Sequence, residues 1–179
     1  MKHRESGFTI LELAVTVGII GLIASGATSV IFHAFKDTGR TNDHMTAVRN
    51  LENAAYWVGR DARMADYVSS TNLTSPAILI LKWTEWGYGT NSIYHQVTYT
   101  VDNVTGNVGN LTRKYENSVG TNQQILVANY IYYNLADPGN STNVTYQSPM
   151  LNLKVATSFG STLAKKDFQV YRRPNFMGW

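Results

Sequence analysis

The sequence predicts an α+β fold in which one long N-terminal helix packs on a C-terminal antiparallel β-sheet. An apolar run begins within the first ten residues, and helical periodicity follows it with no stop signal before residue 69. From residue 76 to residue 173, segments rich in β-branched and aromatic residues alternate with turn clusters, as strands do. Because a sheet must bury one face, the apolar stripe of the preceding helix is the partner that the sequence offers.

Length and composition restrict the classes of protein to consider. At 179 residues, the chain has room for one domain and an anchoring segment. The formal charge is +3 and the basic residues are scattered, which is not a nucleic-acid-binding footprint. Cysteine is absent, so disulfides and thiolate metal sites are excluded, and only 15% of the residues are charged. This neutral, polar composition suits an extracytoplasmic β-rich domain.

The first part of the helix has the composition of a membrane span. Residues 8–32, "FTILELAVTVGIIGLIASGATSVIF", contain no proline and no basic residue, and Glu12 is their one charge. As a helix this stretch is roughly 35 to 40 Å long, enough to cross a bilayer. A buried core helix is the alternative, but core helices are seldom apolar on every face. Residues 8–35 are therefore predicted to be the transmembrane half of the helix.

The second part of the helix, residues 41–68, is predicted to be amphipathic. Its apolar stripe consists of Val48, Leu51, Ala55, Val58, Ala62 and Ala65. Its charged residues fall mostly off this stripe and are expected on a solvated face: Arg49, Glu52, Arg60, Asp61 and Arg63. Gly39 and residues 41–43 favour turns and are positions where the helix can bend or break.

Six strands are predicted between residues 76 and 173. They cover residues 77–83, 93–102, 110–116, 124–134, 150–159 and 165–173. In the second strand, Val97, Tyr99 and Val101 alternate with threonines, which predicts one buried and one wet face. Four aromatic residues are assigned to the core in preference to an exposed contact surface: Trp83, Trp86, Tyr88 and Tyr94.

No constellation of catalytic or metal-binding residues is recognisable in the sequence. The histidines have no partner at metal-site spacing and are expected at the surface or in an interface: His3, His33, His44 and His95. No nucleophile, phosphate loop or dinucleotide fingerprint occurs. The sequence therefore predicts a protein that is not an enzyme and needs no cofactor.

The leader and the apolar run together resemble the N-terminus of a known superfamily. The leader "MKHRESG" is short and basic and ends in a glycine, and "GFTILELAVTVGIIGLIASG" follows from residue 7. This Gly-Phe-Thr-x-x-Glu pattern resembles the type IV pilins and the pseudopilins of type II secretion. The resemblance implies that residues 1–7 are a leader peptide, cut between Gly7 and Phe8, with methylation of Phe8. A secretory signal cut within "ASGATS" at residues 24–29 is the alternative.

The resemblance also explains why an apolar run carries Glu12. A carboxylate in a membrane segment costs desolvation energy, so a functional reason is expected for it. In the filaments of the superfamily, this glutamate is held to pair with the N-terminal amine of a neighbouring subunit, which fixes the axial register. An incidental glutamate at the membrane interface is the alternative.

For the whole chain, the resemblance implies a structural filament subunit. The expected partners are other pilin or pseudopilin subunits, the prepilin peptidase that also methylates, the inner-membrane assembly platform and the membrane, with no nucleic acid required. Residues 36–179 are expected outside the cytoplasm as a pilin-like domain. The segment "RNLENAAYWVGRDARMADYV" at 49–68 resembles minor pilins and pseudopilins of the J or W type. The rival reading is an uncleaved, signal-anchored extracytoplasmic binding module.

Two departures from the superfamily pattern are visible in the sequence. Many members have a proline partway along the apolar segment, where this chain has Gly26 and Ser29. Several pilins also have a C-terminal cysteine pair, which this chain lacks. Any loop that such a pair would close must be held by other contacts or be absent.

Overall fold

The computed structural model describes residues 9–71, 76–87, 92–160 and 162–172. The helix α1 spans Ile10–Met64. The strands are β1 (Tyr67–Ser69), β2 (Ala77–Trp86), β3 (Ser92–Thr105), β4 (Val108–Asn117), β5 (Asn122–Tyr132), β6 (Asn143–Gln147), β7 (Met150–Phe159) and β8 (Thr162–Tyr171). The chain divides into two compact units, residues 1–42 and residues 43–179.

All eight strands belong to one antiparallel sheet, which lies in the second unit. The strand order is β1-β2-β3-β4-β5-β7-β6, and β8 pairs with β7. The sheet is curled, and Arg172, just after β8, donates from Nη1 to the backbone oxygen of Asp66, just before β1, at 2.6 Å. This hydrogen bond links the residue after the last strand to the residue before the first strand, close to the end of α1. The predicted α+β fold, a long helix packed on a C-terminal antiparallel sheet, is confirmed.

The helix ends earlier than predicted, at Met64 and not at residue 68. The backbone N–H of Asp66 donates to the carbonyl of Lys82 at 2.8 Å, and β1 then pairs with β2 from Tyr67 onward. The backbone from Asp66 onward, which the apolar periodicity had assigned to the helix, is therefore hydrogen-bonded to β2 instead. Gly39 and residues 41–43 were named as positions where the helix can bend or break. All of them lie within α1, so the helix does not break there.

The six predicted strands are all present, and two short strands were missed. These are β1, with three residues, and β6, with five. Segments this short do not contain enough alternation to stand out from a loop. In β3, the prediction of one buried and one wet face is confirmed, because Val97, Tyr99 and Val101 are buried and the intervening threonines are half-buried.

The core of the second unit lies between the helix and the inner face of the sheet. From the helix it contains Ala47, Leu51, Ala54, Val58 and Ala62, and Ala65 follows directly after the helix. The predicted stripe was one residue out of register at two positions, since Val48 and Ala55 are only half-buried. The fully buried set begins at Ala47 and advances in steps of four and three, which is the true inner line of the helix.

Hydrogen bonds tie the helix to distant strands as well. The hydroxyl of Thr157 in β7 donates to the carbonyl of Ala47 at 3.0 Å in a buried site. The backbone N–H of Asn129 in β5 donates to Oδ1 of Asn50 at 2.8 Å. These bonds fix the position of the helix on the sheet in a way that apolar packing alone does not, because a hydrogen bond has a defined direction.

Candidate assembly segment

The described part of the first unit, residues 9–42, is called the N-terminal segment below. It begins with a helix cap: Thr9 precedes the helix, and its Oγ1 accepts a hydrogen bond from the backbone N–H of Glu12 at 3.3 Å. Thr9 and Glu12 have the Ser/Thr-x-x-Glu spacing of a capping box, and a carboxylate in the first turn also suits the helix dipole. In the structure the backbone N–H of Glu12 takes part in this cap, and its carboxylate favours the start of the helix through its charge, a local signal that the sequence interpretation overlooked.

Every residue of the N-terminal segment is exposed in the isolated chain. The exposed large apolar side chains are Ile10, Leu11, Leu13, Val15, Val17, Ile19, Ile20, Leu22, Ile23, Val30, Ile31, Phe32 and Phe35. They surround the helix and do not form a stripe, so they have no single aqueous face and no core to join. Within the described residues, α1 is the one helix long and apolar enough to cross a membrane, judged by length and composition.

Four hydroxyl groups of the segment donate hydrogen bonds to its own backbone. Thr16 donates to the carbonyl of Leu13, and Ser25 donates to that of Leu22, each at 2.8 Å. Thr28 and Thr38 donate in the same way to carbonyls four residues earlier. A hydroxyl satisfied within its helix adds little to the cost of burial in lipid or against another apolar helix.

Four glycines, Gly18, Gly21, Gly26 and Gly39, interrupt the apolar surface. A Cβ atom added at any of them would meet nothing within 4 Å. Packing within this chain therefore does not require glycine there. Small residues are typical of places where helices approach each other closely in apolar surroundings.

Of the three site residues predicted from the sequence, Gly7, Phe8 and Glu12, the structure describes Glu12. Gly7 and Phe8, the predicted cleavage site, lie outside the described residues. Glu12 is exposed in the first turn, and the hydrogen bonds that the structure shows at Glu12 run through its backbone. Processing at Gly7 and Phe8 and pairing by Glu12 remain predictions. Among the described residues, no group of three or more histidine, acidic or cysteine side chains is placed to hold a metal ion.

A second polar site, missed by the sequence reading, joins the helix to the sheet in the second unit. Asp61 was expected on the solvated face of the helix, and this is wrong, because Asp61 is 0% exposed. Its Oδ2 accepts from Nε of Arg113 at 2.6 Å and from the hydroxyl of Tyr99 at 2.6 Å, while Oδ1 accepts from Nη2 of Arg113 at 3.2 Å. Asp61 lies on the buried face of the helix. The apolar pattern did not reveal this because aspartate is not an apolar residue.

Because Asp61 and Arg113 are both buried, the charge of each is stabilised mainly by the other. Arg113 is only 7% exposed. Desolvation alone would lower its pKa, but the hydrogen bond and negative charge of Asp61 more than offset this, and the pKa of Arg113 is raised. Desolvation raises the pKa of Tyr99 far above its usual value, and the adjacent charge of Asp61 raises it further. Tyr99 therefore stays a neutral donor, and the three groups form a satisfied buried network.

Aromatic rings continue this network along the inner face of the sheet. The Arg113 guanidinium lies 5.3 Å from the ring centre of Trp57 and 5.5 Å from that of Tyr115. The His95 ring stacks on Trp83 at 5.0 Å, and its Nδ1 is 2.8 Å from the hydroxyl of Tyr115. His95 was expected at the surface or in an interface, and this is wrong, because it is buried in this stack within the chain.

The core assignment of the four aromatic residues holds for one of the three that the structure describes. Trp83 packs against the core. Trp86 is 82% exposed, and Tyr94 is also exposed, so their assignment to the core is wrong. Both point to the outer face of the sheet, because they alternate with inward residues along β2 and β3. Tyr88 lies outside the described residues.

Fold and site together define an α+β protein with one candidate membrane span at its N-terminus. A family model, the prokaryotic N-terminal methylation motif, matches residues 2–28. This motif is a hallmark of type IV pilins and pseudopilins, so the resemblance of the N-terminus to that superfamily is confirmed. The match supports a pilin-like substrate of prepilin peptidase that is anchored in a membrane. Comparisons with curated proteins and with solved structures gave no match.

Proposed function

We propose that the protein is a structural subunit, a minor pilin or a pseudopilin, of a type IV pilus, type II secretion or DNA-uptake filament. One observation carries this proposal: the methylation motif at residues 2–28 runs into a helix whose apolar surface is exposed on all sides. Such a surface needs either lipid or neighbouring copies of similar helices around it. A filament subunit uses both in turn, first as a monomer in the membrane and then in the assembly.

The proposal includes removal of residues 1–7 by prepilin peptidase and methylation of Phe8. The position of the helix cap is compatible with this processing. Because α1 begins at Ile10 and is capped by Thr9, a cut between Gly7 and Phe8 leaves the cap and the helix intact. The new N-terminal amine would then be separated from Glu12 by four peptide bonds.

Glu12 is proposed to set the axial register of the filament. In an apolar filament core, the attraction between its carboxylate and the amine of Phe8 on a neighbouring subunit is poorly screened. The same carboxylate is costly to desolvate when unpaired, so a subunit placed out of register is disfavoured. One charge pair therefore supplies both attraction and specificity.

Before assembly, the subunit is proposed to reside in the inner membrane with residues 36–179 outside the cytoplasm. Its proposed partners are the prepilin peptidase, the inner-membrane assembly platform and sister subunits. Leaving the lipid is offset when the N-terminal segment packs against the same segment of its neighbours, since many small contacts add along a filament. The resemblance of residues 49–68 to minor pilins and pseudopilins of the J or W type supports a minor component in this proposal.

Substitution of Glu12 tests the proposal in cells that assemble the filament. Glu12→Ala is expected to be processed and to accumulate in the inner membrane, yet to enter sheared filaments far less efficiently than the wild type. Glu52→Ala, which removes an exposed carboxylate from the same helix, is the matched control and should be incorporated normally. Unchanged incorporation of Glu12→Ala would remove the register role.

Processing is tested separately by intact-mass measurement of the membrane-extracted protein. The expected mass is that of a chain beginning at Phe8 with one added methyl group. Gly7→Val should retain its leader, because the peptidase needs a small residue before the bond that it cuts. A wild-type chain that keeps residues 1–7 would instead support the uncleaved, signal-anchored module.

A further inference from the structure

The outer face of the sheet contains a trough at the end where β1, β2, β3 and β4 lie side by side. Its volume is about 450 Å³, within the range of small-molecule sites. The residues that shape it are Tyr67, Lys82, Thr84, Tyr94, Gln96 and Glu116. They point outward because they alternate with inward residues along their strands. The trough therefore lies on the opposite side of the sheet from the core and the Asp61 network.

Two exposed tyrosines form the walls of this trough. Tyr67 is 55% exposed and Tyr94 is 60% exposed. Tyr67 pairs with Lys82 and Lys82 pairs with Gln96, so Tyr67 and Tyr94 stand two strands apart. Two strand spacings combined with the two-residue offset between Gln96 and Tyr94 give about 12 Å, which leaves room for one ring-sized ligand between the side chains. Exposed aromatic rings with a polar tip offer an apolar face and a hydrogen bond at the same site.

Donors and acceptors of both charges lie on the floor, in one row across the sheet. Lys82, Gln96 and Glu116 are consecutive partners in the register. The Lys82 ammonium is 5.8 Å from the ring centre of Tyr67, and Glu116 forms an ion pair with Lys114 at 2.7 Å. The charges of Lys82 and Glu116 cancel within the row, and those of Asp66 and Lys114, which lie beside it, cancel as well. An anion would meet Glu116 and a cation would meet Lys82, whereas a neutral ligand with many hydroxyl groups can bond to both.

We propose that this trough is a carbohydrate-binding site for a neutral sugar ring. A pyranose has apolar C–H faces that fit the tyrosine walls, and hydroxyl groups around its edge that fit the polar row. Because the site is open and the ligand is small, the dissociation constant for a short oligosaccharide is expected to be about 1 mM. The site does not depend on processing or filament assembly, so the two proposals can fail independently.

The test is saturation-transfer NMR on the full chain in phosphatidylcholine nanodiscs. The probes are maltotriose, cellotriose and triacetylchitotriose, all neutral trisaccharides, and a short oligothymidylate serves as the competitor. At least one sugar is expected to receive saturation from the protein. Tyr94→Ala and Tyr67→Ala should each raise its dissociation constant about tenfold or more, because each removes one stacking face.

Tyr56→Ala is the matched control, since Tyr56 is 63% exposed on the helix and does not line the trough. It should leave sugar binding unchanged. Gln96→Ala tests the polar row without removing a ring, and it should weaken binding while preserving the unfolding temperature. Absence of transfer to all three sugars overturns the proposal, as does equal weakening by Tyr56→Ala. Binding of the oligonucleotide alone, dependent on Tyr94, would overturn it in favour of a base-stacking site.

Discussion

The helix α1 contributes to two regions that treat their acidic residues in opposite ways. In the N-terminal segment, Glu12 and the apolar side chains around it are all exposed. In the second unit, Asp61 is fully buried, and its two oxygens are satisfied by Arg113 and Tyr99. The proposed function gives the first carboxylate a partner on a neighbouring subunit, whereas the second has its partners within the chain. Substitutions in the first region should affect assembly, and those in the second should affect folding.

The largest expected effect comes from truncation. A chain that begins near Lys36 retains the whole second unit and should be soluble and fold cooperatively. A chain that begins near Ser69 loses the helix residues of the core and exposes the inner face of the sheet, so it should aggregate. Size-exclusion chromatography and urea unfolding distinguish the two. A soluble, cooperatively folded chain from Ser69 would show that the helix is not needed for the core.

The next effect comes from the buried network. Asp61→Ala leaves the Arg113 charge buried and unpaired, and should lower the free energy of unfolding by about 3 to 5 kcal/mol. Glu52→Ala removes an exposed pair with Lys166 and should cost no more than about 1 kcal/mol. Urea denaturation of the chain from Lys36 measures both. Similar losses from the two substitutions would mean that Asp61 is better solvated than its burial implies.

Substitution of two glycines tests the difference between the packed second unit and the exposed N-terminal segment. At Gly109 in β4, an added Cβ would lie 2.7 Å from the carbonyl oxygen of Asp102 and 2.9 Å from a methyl group of Val104. Gly109→Ala should therefore destabilise the second unit by about 1 to 3 kcal/mol. Gly18→Ala meets no neighbour and should leave unfolding of the second unit unchanged, while favouring the helix by up to about 1 kcal/mol. Thermal unfolding followed by circular dichroism measures the domain in each variant, and a loss of domain stability in Gly18→Ala would contradict this division.

The smallest effect is a dependence on alkaline pH. Burial and the charge of Asp61 raise the pKa of Tyr99, so above the ordinary value of 10.0 the unfolded chain loses this proton while the folded chain keeps it. Because the unfolded state then binds fewer protons, stability falls as the pH rises, by at most about 1.4 kcal/mol per pH unit. Tyr99→Phe should be less stable at neutral pH but lose less stability above pH 10. Urea titrations between pH 8 and pH 11 measure both slopes, and equal slopes in the wild type and Tyr99→Phe would contradict this assignment.

The sequence predicted those features that depend on composition along the chain. The apolar run, the helix that follows it and the six longer strands could be read from periodicity, because burial of a whole face leaves a regular pattern. The methylation motif was recognisable for a similar reason, since its residues are adjacent. Thr9 and Glu12 also had the spacing of a capping box, a local signal that was present and not used.

Features that depend on distant pairing could not be predicted in the same way. Asp61 lies on the inner line of the helix, but its burial is acceptable only because Arg113 arrives from a strand 52 residues later. Trp86 and Tyr94 have the residue type of a core, and only the register of β2 and β3 decides which face they occupy. His95 is buried for the complementary reason, because it pairs with Trp83 on the inner face.

The ties between the helix and the sheet determine how the second unit would respond to mechanical force. They lie at Ala47, Asn50 and Asp61, so they extend over about 21 Å of helix. Ala47 is bonded to β7, Asn50 to β5, and Asp61 to both β4 and β3. A pull along the axis of α1 would load these bonds at the same time, in shear, and would not open them one after another. The hydrogen bonds that position the helix on the sheet would thus also share a force that is applied along the helix axis.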